Sequence, residues 1–453
     1  MTAAVTGSTG TALLTDHYEL TMLRAALADG TARHRAVFEV FTRSLPPGRR
    51  YGVLAGTGRL TEAIESFRFA PEQLDWLLDQ GIVDRPTADH LSGWRFTGDI
   101  DGYREGEIYF PHSPVLTVSG TFGDCLLLET LVLSVLNADS AVASAAARMV
   151  TASAGRPLLD MGSRRTHERA GVSAARASCL VGFSATSNLE AGFLYGMPTR
   201  GTAAHAFTLA HADEGEAFAS QVAALGTGTT LLVDTYDAAD GIDTAVRIAG
   251  TDLGAVRIDS GDPARQARAA RARLDALGAG KTRIVLTGDL DEHSIAALAG
   301  APVDAYGVGT RLVTGSGHPT AGLVYKLVAI ADGPQRSAVL RPVAKRSPGK
   351  AGLPGRKVAH RTLDGEGHAV GERAVPEPAA RDVTGDRLRR ALQVPVMRSG
   401  RVAHSPTLAE IRSHHEAAKA ELLDVDLDLA PGTPRLHARQ GPDGTPGTDR
   451  AAA

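Results

Sequence analysis

Between residues 231 and 313 the chain repeats one pattern. LLVDTYD (231–237), AVRIDSGD (255–262), RIVLTGDLDE (283–292) and AYGVGTRLV (305–313) each begin apolar and β-branched, then turn polar or glycine-rich. Helical stretches such as PARQARAARARLDALGAG separate them. Strand–helix alternation of this kind predicts a parallel sheet. The polar residues fall at the C-terminal ends of successive strands, where a (β/α) barrel places its active site. An open doubly wound sheet would do the same. Further candidate units upstream, at PLLDMGS and MPTRGTAAHAF, favour a barrel.

The flanks read differently. MTAAVTGSTG at the start looks like a loose tail, so residues 1–12 are expected to be flexible. LLTDHYELTMLRAALADG, 13–30, carries a helix-start signal: Thr15 or Asp16 can cap, Glu19 follows Asp16 at capping-box spacing, and Gly30 closes the helix. AVFEVFT, 36–42, reads as a strand, and short alternating stretches around 95–120 suggest more strands. The N-terminal region, 13–120, is therefore α/β, and the barrel is assigned to 121–335. The basic, Pro-Gly-punctuated stretch after about 335 predicts a small β-rich region with a helix within 399–424. Residues 430–453, rich in Pro, Gly and charge, are expected to be disordered.

Composition narrows the functional classes. With 453 residues, 43% of them apolar, the chain can bury a large core and form two or three domains. A net charge of -3 argues against general attraction to nucleic acid or anionic membrane. Cys125 and Cys179 fit neither a disulfide framework nor a zinc motif. The apolar run 125–147 contains Glu129, Asn137 and Asp139, which are expensive in lipid, so one or two buried helices are expected there. The start of the chain shows no signal peptide, and the cytoplasm is the expected location.

Four strand-end motifs would converge in a barrel. They supply Asp234 and Asp237; Arg257, Asp259, Ser260 and Asp262; Gly288, Asp289 and Asp291; and Gly307, Gly309, Thr310 and Gly315. Carboxylates at several strand tips suit a magnesium ion and sugar hydroxyls. A glycine-rich tip before a helix suits a phosphate, because free backbone N–H groups point at it. Taken singly, an Asp at a strand end is more often a helix cap, and a GxGT is more often a tight turn. DMGSRR (160–165) adds Arg164 and Arg165, either a solvated turn or a clamp for carboxylate or phosphate. GAGKT (278–282) precedes a strand and lacks the upstream glycine of a P-loop. DTYDAADGID lacks the spacing of a calcium loop. His205 and His211 lack the spacing of a zinc site.

TDHYELTM, DMGSRR, ATSNLEAG, GTAAHAF, VDTYD, RIDSGD, TGDLDE, GVGTRLVTG and PGRKVAHR occur in that order between about 13 and 362. Together they closely resemble the nicotinate phosphoribosyltransferase family. The resemblance implies an irregular α/β barrel of the type II phosphoribosyltransferases. It also implies a second α/β domain built from the N-terminal segment with contributions from 336–429. It implies a reaction of nicotinate with phosphoribosyl pyrophosphate in NAD salvage, coupled to ATP hydrolysis through a phosphohistidine and requiring Mg2+. His205 matches the phosphorylated histidine. Asp16 and Tyr18 match a pair whose tyrosine packs on the pyridine ring, typically from the neighbouring subunit of a homodimer. Arg164, Thr202 and Arg257 match nicotinate-site positions, and Arg257 also lies near the ribose phosphate. Asp234, Asp259 and Asp289 would hold ribose, the histidine or the metal, with Asp259 and Asp289 as the metal ligands. Ser260 joins the phosphoribosyl pyrophosphate set, and Gly288, Gly309 and Thr310 would cradle the 5′-phosphate. Asp234 or Asp289 is expected to orient His205.

The pattern departs at two places. Ala206 stands where a serine commonly follows the histidine, and Met161 where an aromatic commonly precedes GxRR; methionine is an apolar, polarizable substitute. The related enzyme that uses nicotinamide carries an aspartate near the ATSN block, where this chain has Ser187. A carboxylate there would repel nicotinate, so Ser187 favours the acid over nicotinamide. Quinolinate phosphoribosyltransferase and a catalytically silent nucleotide-binding barrel are weaker alternatives.

Overall fold

The computed structural model describes residues 10–335, 337–345, 353–377 and 388–440. The chain divides into two compact units, one of 1–141 with 320–453, the other of 142–319.

The first unit is built on an antiparallel sheet. Among the described residues its strand order is Leu340–Pro342, Leu323–Ala331, Arg35–Thr42, Leu116–Thr121, Asp99–Tyr103, Gln393–Arg398, Arg401–Val402. The strand Arg35–Thr42 sits inside it with Val37, Phe38, Val40 and Phe41 buried, and Phe38 stacks on Tyr325 at 4.8 Å. Leu323–Ala331 lies inside the stretch 121–335 assigned to the barrel. It pairs instead with Arg35–Thr42, whose apolar face needs a partner that local sequence does not supply. Glu39, buried in that central strand, is neutralised by Lys357, with Nζ at 2.6 Å.

A second sheet holds Arg389–Ala391, Lys357–Leu363, Ala369–Pro376 and Ala438–Gln440. Arg361 is fully buried there and donates to Glu107 at 3.0 Å, Glu372 at 2.7 Å and Glu421 at 3.1 Å. The basic character of 357–361 is thus interior pairing rather than a solvated face. Residues 438–440 form a strand inside the stretch expected to be disordered from 430; 441–453 lie outside the described residues. At the other end, Ala12 is fully buried and Thr11 donates to the Ala63 carbonyl at 2.6 Å, so the expected flexible tail does not extend to residue 12. Residues 1–9 lie outside the described residues.

The predicted N-terminal helix is His17–Asp29, closed by Gly30 at φ 85°. Its expected capping box is absent: Asp16 occupies the N-cap position without a side-chain hydrogen bond. Glu19 is drawn inward instead, accepting from the Thr130 N–H at 2.8 Å and hydroxyl at 2.5 Å. The apolar run forms two helices, Phe122–Leu126 and Glu129–Ala152. By length and composition this stretch could cross a membrane, yet most of its most apolar window is buried within the fold.

In the second unit all strand pairs are parallel. Among the described residues the order is Ala185–Thr186, Leu158–Asp160, Ala305–Val308, Arg283–Leu286, Ala255–Ile258, Thr230–Leu232. The two end strands do not pair with each other, so the sheet is a half-barrel rather than a closed ring. MPTRGTAAHAF contributes only a one-residue parallel bridge, Thr199 to Thr186. Pro198 has no N–H to extend the ladder, and Gly201 follows closely. Helices Ala238–Ala249 and Pro263–Ala276 connect consecutive strands, as the alternation predicts.

Candidate active site

Each strand of the half-barrel ends in a turn, and the turns divide their carboxylates between two duties. Asp237 accepts from the Ala239 and Asp240 N–H groups, Asp262 from Arg265, and Asp291 from His293 and Ser294. These three are helix caps. Asp259 and Asp289 instead line a cavity of about 700 Å³. Arg164, Ser187, Thr202, His205, Arg257, Gly288, Gly309 and Thr310 line it too, so most of the residues singled out in sequence meet in one place.

Arg257 organises one wall. Its guanidinium donates to Thr202 and Thr287 hydroxyls at 3.0 Å each, to the Ala203 carbonyl at 3.3 Å and to Asp259 at 3.0 Å. Thr287 also donates to Asp259. Burial pushes the Asp259 carboxyl up. The Thr287 hydrogen bond and the Arg257 charge outweigh it, so the group lies below the usual carboxylate range and is ionised at neutral pH.

His205 is the first residue of a short helix, His205–Leu209, rather than a strand tip. Its Nδ1 lies 3.1 Å from the Thr235 hydroxyl, so neither Asp234 nor Asp289 orients the ring. Asp234 is committed elsewhere: its Oδ2 accepts from the Asp259 N–H at 2.8 Å and the Ser260 hydroxyl at 2.7 Å, fixing the turn that carries Asp259. Ser260 is thereby a turn-forming residue. Beside Asp234, burial and then the Asp234 charge push the Glu214 carboxyl up to about 7. His211 donates from Nδ1 to the Phe207 carbonyl, 2.8 Å away, and packs edge-on against the Phe207 ring.

The lining is also glycine-rich. Gly288 adopts φ 122°, open to glycine alone without strain. A Cβ on Gly307 would sit 2.6 Å from the Thr287 side chain and 2.7 Å from the Met161 sulfur, so only glycine lets that strand approach. Asp160, buried beneath, accepts from Thr186 at 2.7 Å and the Gly162 N–H at 2.8 Å, holding the DMGSRR turn in place. Arg164 and Arg165 then project from a single 3-10 turn, Ser163–Arg165.

Asp16 and Tyr18 belong to the first unit. Tyr18 is 44% exposed, and its hydroxyl is pushed up to about 12 by partial burial and by Glu129. Thr235, Thr287, Glu214 and Arg200, the last also lining the cavity, were not singled out in sequence. Thr235 and Thr287 lie inside the VDTYD and TGDLDE motifs, where their position after the strand was the available signal.

An open parallel sheet with an arginine-rich cavity at the carboxyl ends of its strands is the architecture of type II phosphoribosyltransferases. Residues 13–137 match the family model described as the nicotinate phosphoribosyltransferase (NAPRTase) N-terminal domain. The chain is 54% identical over 438 residues to nicotinate phosphoribosyltransferase pncB1 of Mycobacterium tuberculosis, covering 95% of each chain. It is 36% identical over 365 residues to nicotinate phosphoribosyltransferase of Bacillus subtilis, covering 79% of this chain and 74% of that one. The crystal structure of human nicotinic acid phosphoribosyltransferase matches with a TM-score of 0.77 at 25% identity, covering 94% of this chain and 97% of the other. This chain belongs to the nicotinate phosphoribosyltransferase family.

Proposed function

We propose that this protein joins nicotinate to phosphoribosyl pyrophosphate, forming nicotinate mononucleotide and pyrophosphate, and couples the reaction to ATP hydrolysis through a phosphohistidine at His205. The observation that carries this reading is His205 on the cavity wall with Nδ1 engaged by Thr235. In the tautomer that donates from Nδ1, Nε2 keeps its lone pair and serves as phosphoryl acceptor. The bond from the γ-phosphorus of ATP to its bridging oxygen breaks as the Nε2–P bond forms, and ADP leaves. Water later releases phosphate.

For the transfer itself, the nicotinate ring nitrogen attacks the anomeric carbon as the bond to pyrophosphate breaks. That nitrogen has its own lone pair, so no strong general base is needed. Charge complementarity carries the catalysis. Arg164 and Arg257, with Thr202, suit the nicotinate carboxylate, and Met161 supplies an apolar surface for the ring. Gly288, Gly309 and Thr310 suit the 5′-phosphate, and Asp289 the ribose hydroxyls. Mg2+ fits the donor set: one or two carboxylates, the ionised Asp259 and the exposed Asp289, are what Mg2+ takes when phosphates complete its shell. When bound, the ion neutralises charge on the departing pyrophosphate.

A homodimer is supported by exposed apolar residues: Tyr18 and Met22 on the N-terminal helix, and Leu189, Phe193 and Leu194 beside the ATSN block. The test is turnover of nicotinate against nicotinamide with phosphoribosyl pyrophosphate. Nicotinate mononucleotide is the expected product; exclusive use of the amide overturns the reading.

A further inference from the structure

The stretch GTRLVTGSG, 309–317, holds a serine at 316 where a further glycine would be free of strain. Ser316 has φ 54°, between Gly315 at φ 60° and Gly317 at φ 87°. A non-glycine residue persists in the left-handed region only when its surroundings hold it there. What holds Ser316 is Glu292. The Ser316 hydroxyl donates to Glu292 Oε2 at 2.6 Å, and the Ser316 N–H donates to the Arg311 carbonyl at 2.7 Å. Glu292 Oε1 accepts from Arg148 Nε at 3.0 Å, and the two side chains are 4% and 6% exposed. Burying such a charge is tolerable only with a partner.

Glu292 does not line the cavity. It opens the helix Glu292–Ala297, directly after the turn that carries Gly288 and Asp289. Its carboxylate therefore ties that turn to the 309–317 stretch, with Arg148 of the helix Glu129–Ala152 as counter-ion. We propose that Glu292 is a positioning residue: acting through Ser316, it sets the spacing of the two glycine-rich turns that take the 5′-phosphate of phosphoribosyl pyrophosphate. This rests on the phosphate reading of Gly288, Gly309 and Thr310.

The test compares KM for phosphoribosyl pyrophosphate, KM for nicotinate, kcat and Tm in Ser316→Gly, Glu292→Gln, their double variant and Gly309→Ala. Ser316→Gly relieves the backbone but deletes the hydroxyl that pairs with Glu292, two opposed effects on stability, so its Tm should stay near that of the wild type. Losing a hydrogen bond to a charged group should raise its KM for phosphoribosyl pyrophosphate about tenfold, with KM for nicotinate nearly unchanged. Because both residues act through one contact, the double variant should rise no further than the larger single effect. An unchanged KM for phosphoribosyl pyrophosphate in Ser316→Gly, or additive rises, overturns the proposal. Gly309→Ala separates the two readings. If it leaves that KM unchanged, the phosphate assignment fails; if it raises the KM while Ser316→Gly does not, the assignment stands and the role of Glu292 fails.

Discussion

At the scale of single residues, the account turns on which hydroxyls and carboxylates touch which atoms. Thr235 is the partner of His205, so Thr235→Val should leave the ring free to rotate and let the wrong tautomer compete. We expect ATP stimulation to fall about tenfold, the worth of a hydrogen bond of 1–1.5 kcal/mol, while ATP-independent transfer persists. Equal ATP stimulation in the variant and the wild type, measured as initial rates with and without ATP, contradicts that role. His205, Arg257 and the glycine tips were legible because their motifs stand together in the order that the family resemblance matches, not because any one of them is unusual by itself. Thr235 and Thr287 were not, because a threonine after a strand is ordinary until the cavity is assembled around it. The same holds for the aspartates. Sequence offers Asp234, Asp237, Asp259, Asp262, Asp289 and Asp291 alike, and only the backbone geometry sorts Asp237, Asp262 and Asp291 into caps.

At the scale of elements, the helix His17–Asp29 carries a pH dependence. Glu19 is fully buried, and burial, opposed by hydrogen bonds from Thr130 and Thr15, pushes its carboxyl up to about 7 from an ordinary 4.5. Its folded pKa is thus above its unfolded one. Between those values the folded state keeps a proton that the unfolded state has lost, so stability falls as pH rises through the window. The penalty is complete above about 7, and by linkage it is about 3 kcal/mol at most. Glu19→Gln cannot ionise. Its Tm should fall less than that of the wild type between about pH 5 and about pH 8; parallel decline in the two proteins contradicts the assignment. Sequence pattern located this helix to within a few residues. It missed that Glu19 turns inward, since a glutamate at capping-box spacing normally stays with its own helix end.

At the scale of the whole molecule, the half-barrel was legible and the first unit's sheet was not. The repeat at 231–313 joins neighbours in sequence, and its alternation is visible locally. The strand Arg35–Thr42 pairs with Leu323–Ala331, far along the chain, and no local pattern reports such a partner. Tyr18 and His205 fall in different units of the chain. Under the homodimer proposal, Tyr18 completes the partner's site. Dissociating and reassociating Tyr18→Ala with His205→Asn should then restore one intact site per mixed dimer and recover ATP-coupled activity. No recovery in reassociated dimers contradicts supply of the tyrosine in trans.

The phosphohistidine is the central claim, and labelling tests it directly. Incubation with γ-labelled ATP should give the wild-type protein an acid-labile label, absent from His205→Asn. Undiminished labelling of His205→Asn would contradict the account.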